Sequence, residues 1–133
     1  MLNSEIMREA KGSVGKRGED LACRYLQGLG HEIVARNWRA SHLEIDIISL
    51  SGSVLHIVEV KTRVVPSQAA PEANVDRRKR ECLVKAAQAF IHSSDRLPLG
   101  ADLEVSFDVV SVLLDGEQAE IEYYPQAFIP IYA

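Results

Sequence analysis

Two cysteines are too few and too far apart to build a covalent or metallic framework. Cys23 and Cys82 are separated by 58 residues and match no metal-ligand spacing, and the four histidines, at 31, 42, 56 and 92, are scattered. Neither a disulfide scaffold nor a zinc site is expected, and a reducing cytoplasm fits. Long apolar runs are missing as well, since nothing approaches the roughly 18 to 20 consecutive apolar residues of a membrane span. The first twenty residues, MLNSEIMREAKGSVGKRGED, carry charges throughout and lack the apolar stretch of a signal peptide. Secretion and a membrane partner are therefore disfavoured. Positive charge is not in excess either: the net charge is −4, which argues against a protein that coats nucleic acid by bulk charge. Local basic clusters remain able to steer a polyanion. No internal repeat, low-complexity tract or Gly-x-Gly-x-x-Gly phosphate cradle occurs.

What is present suits one compact domain. With 133 residues and 47% hydrophobic content, the chain can bury a real core. Residues 1–13 lack a sustained period and read as a flexible N-terminal arm or a short turn of helix, leaving 14–133 as a single domain. The richest stretch is Leu43 to Arg63, LEIDIISLSGSVLHIVEVKTR. Two apolar runs flank Ser51-Gly52-Ser53 and read by period as a β-hairpin. A two-residue Gly52-Ser53 loop sets Asp46 opposite Glu59, on one face with Lys61; a three-residue loop without a bulge would part them. The other face, with Leu43, Ile45, Ile47, Val54, Val58 and Val60, reads as core.

Carboxylates and a lysine inside an apolar sheet are costly unless something compensates their charge. Oxygen ligands at this density suit a hard divalent cation such as Mg²⁺ or Mn²⁺, which takes one or two carboxylates and fills its remaining positions with water and substrate phosphate. Ordinary cross-strand ion pairs on a solvated face are the plainer alternative.

Around the hairpin, Val14 to about Gly30 shows a helical stripe, with Glu19 in its first turns. His31 to Trp38 reads as a strand, and Trp38 as a core or rim aromatic. Val64 to Asn74, with two prolines, reads as a loop. A second helix is expected from about Val75 to His92, capped by Asn74, with Val75, Leu83, Ala86, Ala87 and Phe90 as its buried stripe. Its first turns carry Arg77, Arg78, Lys79 and Arg80 against the helix dipole. Lys79 falls four residues before Leu83 and should lean toward the sheet, while the three arginines fan outward as a phosphate-contacting patch or a solvated charge run. Glu104 to Leu114 reads as a buried strand. Asp115-Gly116 then turns the chain into a last strand, Ala119 to Tyr124, followed by an apolar tail with Phe128, Ile129, Ile131 and Tyr132. Asp108 reads as a cross-strand partner or a support for the site. The expected fold is α/β, with a central mixed sheet of about five strands, the hairpin at its centre, and a helix before and after it.

Asp46, Glu59, Val60 and Lys61 resemble the D…(D/E)-x-K signature of the restriction-endonuclease-like nuclease fold. More narrowly, Gly18-Glu19, Arg36-Asn37, Glu44-Ile45-Asp46, Val58-Glu59-Val60-Lys61-x-Arg63 and Phe107-Asp108-Val109-Val110 resemble the UPF0102 (YraN-like) family, which is similar to archaeal Holliday-junction resolvases. Leu43 stands where that family usually has Gly, and Ser106 where it usually has Arg. The resemblance implies a Mg²⁺-dependent endonuclease acting on DNA phosphodiester bonds, branched or junction DNA included. Asp46, Glu59 and the Val60 carbonyl would hold the metal with help from Glu19, and Lys61 would be the catalytic cation. Arg63, Arg77, Arg78, Lys79 and Arg80 would hold the DNA backbone. It also implies a homodimer. The competing reading is a non-catalytic module that binds nucleic acid or protein on a nuclease scaffold.

Overall fold

The computed structural model describes residues 4–66, 75–96 and 98–130, with side chains from residue 12 onward. The order is helix α1 (Ser4–Gly28), strands β1 (Glu32–Ala40), β2 (Leu43–Ser51) and β3 (Val54–Val64), and helix α2 (Arg77–Ile91). A short 3-10 turn (Ser94–Arg96) and strands β4 (Glu104–Asp115) and β5 (Gln118–Phe128) complete it. The five strands form one sheet in the order β1-β2-β3-β4-β5, parallel between β3 and β4 and antiparallel elsewhere. No helix among the described residues is long and apolar enough to cross a membrane.

Each helix covers one face of the sheet. Ala22, Cys23 and Leu26 of α1 pack on Ile47, Val58, Val110, Val112 and Leu114. Leu83, Ala86, Ala87 and Phe90 of α2, with Val75 just ahead of it, pack on Ile45, Ile48, Leu55, Ile57, Phe107 and Val109. Those five residues are the stripe the helical period predicts. Trp38 is a rim aromatic on this side, edge-on to Phe90 at 5.3 Å and donating its indole N–H to Asp95 at 2.8 Å.

Boundaries differ from expectation in three places. Helix α1 runs on through residues 4–13, where a loose arm or a short turn was expected. Extending a helix that has already nucleated needs no apolar stripe, so periodicity does not register it. Helix α2 is capped by Asp76, whose carboxylate accepts the Lys79 amide at 2.8 Å; the expected cap, Asn74, lies outside the described residues, as do 67–73 of the expected loop. Strand β5 continues through Pro125 to Phe128, because an edge strand has one side free of ladder bonds and tolerates proline there. Phe128 stacks on Phe107 at 5.0 Å, whereas Ile129 is exposed. Ile131 and Tyr132 lie outside the described residues.

Candidate active site

The hairpin register is the Gly52-Ser53 one, with Ser51 opposite Val54 and Ile47 opposite Val58. Gly52 makes it possible by taking a φ of 60°, a left-handed value that glycine adopts without a Cβ penalty. The pairing of β2 with β3 extends no further than Ile47 and Val58. Beyond it the Asp46 carboxylate takes the place of a backbone acceptor and receives the Val60 amide at 2.9 Å.

The alternation of β2 slips at the same point. Ile45 and Ile48 both belong to the α2-side core, while Ile47 belongs to the α1-side core. Strict alternation would put Ile45 with Ile47, and the sequence reading did so. Asp46 sits in the slip, where the two strands part. A cleft of about 560 Å³ opens there, lined by Val14, Gly15, Glu19, Asp46, Glu59, Val60, Thr62 and Val64.

Both helices reach this gap. On the α1 side, Gly18 is buried against Thr62, and a Cβ on it would stand 1.9 Å from the Thr62 hydroxyl oxygen. Only glycine lets α1 lie this close to β3, and the next residue, Glu19, thereby lines the cleft. Two residues of β1 hold Glu19 there. Asn37 donates its side-chain N–H to Glu19 Oε2 at 3.1 Å, and Arg36 lies 3.7 Å from the same oxygen while bridging Asp20 at 2.7 Å. Asn37 has a φ of 50°, a left-handed conformation within a strand that Asn tolerates better than most residues. Arg36 and Asn37 belong to the quoted resemblance, but periodicity gives them no role; an Asn inside an otherwise β-forming run was the available signal.

On the α2 side, Lys79 Nζ lies 3.5 Å from Glu59 Oε2, as its place on the helical stripe predicts. Lys61 follows Glu59 by two strand positions, and its charge also acts on Glu59. Arg63 is two positions further along the same strand. The remaining basic residues of α2 are placed differently. Arg77 pairs with Glu81 at 3.2 Å on the surface and Arg78 is exposed. Arg80 folds back, donating to the Val75 carbonyl at 2.5 Å with its guanidinium 5.9 Å above the Phe128 ring. It therefore does not fan outward as expected.

The electrostatics of the gap are unfavourable to two bare carboxylates. Burial and, next, the Glu59 charge together push Asp46 up to about 7 against the opposing pull of the Val60 amide. Glu59 is raised too, chiefly by burial, against the pull of Lys79, Lys61 and a hydrogen bond with Asp46. Glu19 adds more negative charge at Asp46. Such a pair shares a proton or attracts a cation.

No three His, Cys, Asp or Glu side chains among the described residues form a ready metal cage. Mg²⁺ does not demand one, because it keeps several waters and takes one or two carboxylates from protein. Two half-buried, mutually repelling carboxylates lining a cleft fit that chemistry.

Asp108, read as a cross-strand partner or a support for the site, belongs to a different cluster. It accepts hydrogen bonds from His56 Nδ1 at 2.6 Å, the Ser106 and Tyr123 hydroxyls at 2.5 Å each, and the Gln126 amide at 3.1 Å. The His56 ring lies 4.3 Å from that of His31, which contacts Ser49 at 2.9 Å. None of these residues lines the cleft.

A family model described as the uncharacterised protein family UPF0102 matches residues 18–112, which takes in Gly18, Glu19, Asn37, Asp46, Glu59, Lys61 and Lys79. Among similar proteins, a UPF0102 protein of Nitratidesulfovibrio vulgaris is 38% identical over 122 residues, covering 92% of this chain and 88% of its own. One from Flavobacterium psychrophilum is 38% identical over 115 residues, covering 86% and 92% respectively. One from Bacteroides thetaiotaomicron is 38% identical over 117 residues, covering 88% and 93%.

Proposed function

We propose that this chain, which belongs to the uncharacterised protein family UPF0102, is a divalent-cation-dependent endonuclease that hydrolyses DNA phosphodiester bonds, branched DNA among its substrates. The observation that carries the reading is the pair of half-buried carboxylates, Asp46 and Glu59, set against each other in an open cleft with Asp46 raised to about 7 and Lys61 and Lys79 acting on the same pair. Buried like charges that face a cleft mark a site built for a ligand rather than for stability.

Asp46, Glu59 and the Val60 carbonyl would hold Mg²⁺ or Mn²⁺. Glu19 would help from α1, directly or through a water, with Asn37 and Arg36 fixing its position. When bound, the cation supplies charge neutralisation for the attacking water and the scissile phosphate. Lys61 places an ammonium on the strand that carries Glu59, where it stabilises the negative charge that grows on the phosphate in the transition state. The parted ends of β2 and β3 leave the carboxylates accessible from the cleft. Arg63, Arg77 and Arg78 supply backbone-phosphate contacts, which depend on salt and carry no sequence information.

The test is a cleavage panel of linear duplex, single-stranded, flap and four-way-junction DNA in Mg²⁺ and in Mn²⁺, with Lys61→Ala as the control. Metal-dependent nicking that Lys61→Ala lowers by about two orders of magnitude or more supports the reading. DNA binding without cleavage under every condition contradicts it and favours a non-catalytic module.

A further inference from the structure

The Lys79–Glu59 contact joins an easily displaced partner to a fixed one. Glu59 lies on the central strand β3 with its side chain 15% exposed; Lys79 reaches it from the first turn of α2 with its side chain 45% exposed. Its backbone amide is held separately by the Asp76 cap, so the ammonium can leave while the helix start stays in place. Moving a half-exposed lysine head into solvent costs little, because such ion pairs contribute little and the freed side chain recovers rotamer entropy.

Charge bookkeeping gives the move a purpose. Fully ionised Glu19, Asp46 and Glu59 outnumber Lys61 and Lys79 by one negative charge. A dication added to that set leaves one positive charge in excess beside the cleft, which suits an incoming phosphate backbone. An ammonium 3.5 Å from Glu59 Oε2 repels a dication bound at the same carboxylate, so the two compete for it.

We propose that Lys79 is an exchangeable counter-ion: it guards Glu59 until a divalent cation arrives, then releases the carboxylate and takes a phosphate of the substrate. This rests on the metal-dependent reading above and adds to it a second cation contributed by α2. Lys79 thus differs from Arg77, which is tied to Glu81, and from Arg80, which is tied to the Val75 carbonyl and Phe128.

The experiment measures Mn²⁺ affinity of the full chain by the loss of free-ion electron paramagnetic resonance signal, for the parent, Lys79→Met and Lys85→Met. Lys79→Met keeps the apolar stem and removes the competing charge, so it should bind Mn²⁺ about three- to tenfold more tightly. Lys85, exposed further along α2, controls for the general field of the helix, and its variant should match the parent. Lys79→Gln is measured alongside, so that a folding defect in one variant does not decide the result. In saturating Mn²⁺, Lys79→Met should also bind a short DNA duplex about threefold or more weakly than the parent, with a shallower salt dependence.

A parent that binds Mn²⁺ with Lys79 variants that bind it no more tightly overturns the exchange while leaving the metal reading standing. Tighter Mn²⁺ with unchanged DNA affinity overturns the transfer to phosphate. If neither parent nor variants bind Mn²⁺, the metal reading fails and the exchange falls with it.

Discussion

Asp46, half-buried at the cleft, and Asp108, fully buried, lie on the two strands that flank β3, and their surroundings are opposite. Asp108, with no exposed side-chain surface, collects four donors from His56, Ser106, Tyr123 and the Gln126 amide. Burial alone would raise its pKa, but these hydrogen bonds more than offset that and hold it below the usual carboxylate range. Asp46 has the Val60 amide, a second carboxylate opposite and a third nearby, and its pKa rises to about 7. Burial alone therefore does not mark a functional carboxylate. A satisfied one stabilises the fold, whereas one set against its own kind stores a demand for a cation.

The comparison breaks most visibly if stability does not follow it. Asp108→Ala leaves four donors without their acceptor, in the buried class where removing one partner costs about 3 to 5 kcal/mol. Urea unfolding at neutral pH should show a loss of that size, and a loss under about 1 kcal/mol would mean the network is decorative. Asp46→Asn should not destabilise at pH 8. Its uncharged amide oxygen still accepts the Val60 amide, and the repulsion with Glu59 is gone.

pH sharpens the contrast, because the two shifts have opposite signs. The folded state raises the Asp46 pKa above its unfolded value near 3.9. It therefore binds more protons than the unfolded chain between about pH 4 and about 7. That contribution to stability is complete below about pH 4 and is lost as pH rises through about 7. Asp108 is lowered, so its contribution is present above the unfolded value and is lost as pH falls through the folded one. Asp46→Asn should remove a decline of about 4 kcal/mol across pH 4 to 8, whereas Asp108→Asn should flatten the acid limb. Superimposable pH profiles for parent and Asp46→Asn would show that Asp46 is not perturbed.

The smallest expected effect on the fold comes from Asn37→Gly. Glycine takes the left-handed φ of 50° without strain, which compensates for the lost hydrogen bond to Glu19, so stability should stay within about 0.5 kcal/mol of the parent. Mn²⁺ affinity should nonetheless fall about tenfold, as when a group that orients a ligand is removed. A variant that loses stability and keeps its affinity would make Asn37 a plain structural residue.

Much of this arrangement is legible in the chain itself. The α/β class, the five-strand mixed sheet and the central hairpin follow from the period-2 runs on either side of Ser51-Gly52-Ser53 and the helical stripes that flank them. The lean of Lys79 follows from its spacing to Leu83, because one helical step of four residues is a local property. Other features depend on contacts between elements distant in sequence. The slip at Asp46 appears only where β2 leaves β3, since nothing in Leu43 to Ser51 interrupts the alternation. The need for glycine at 18 depends on Thr62 of another element. Asp108 draws its donors from β3, β4 and β5, a convergence invisible from any one strand, and Arg80 lies over Phe128, 48 residues later in the chain.

The central claim is that Asp46 and Glu59 form a cation site, and the direct measurement is isothermal calorimetry of Mn²⁺ into the parent, Asp46→Asn and Glu59→Gln, with circular dichroism to verify the fold. The account predicts weak binding by the parent that releases protons below pH 7, and loss of that binding in each variant with the fold intact. Equal Mn²⁺ binding by all three proteins would contradict it.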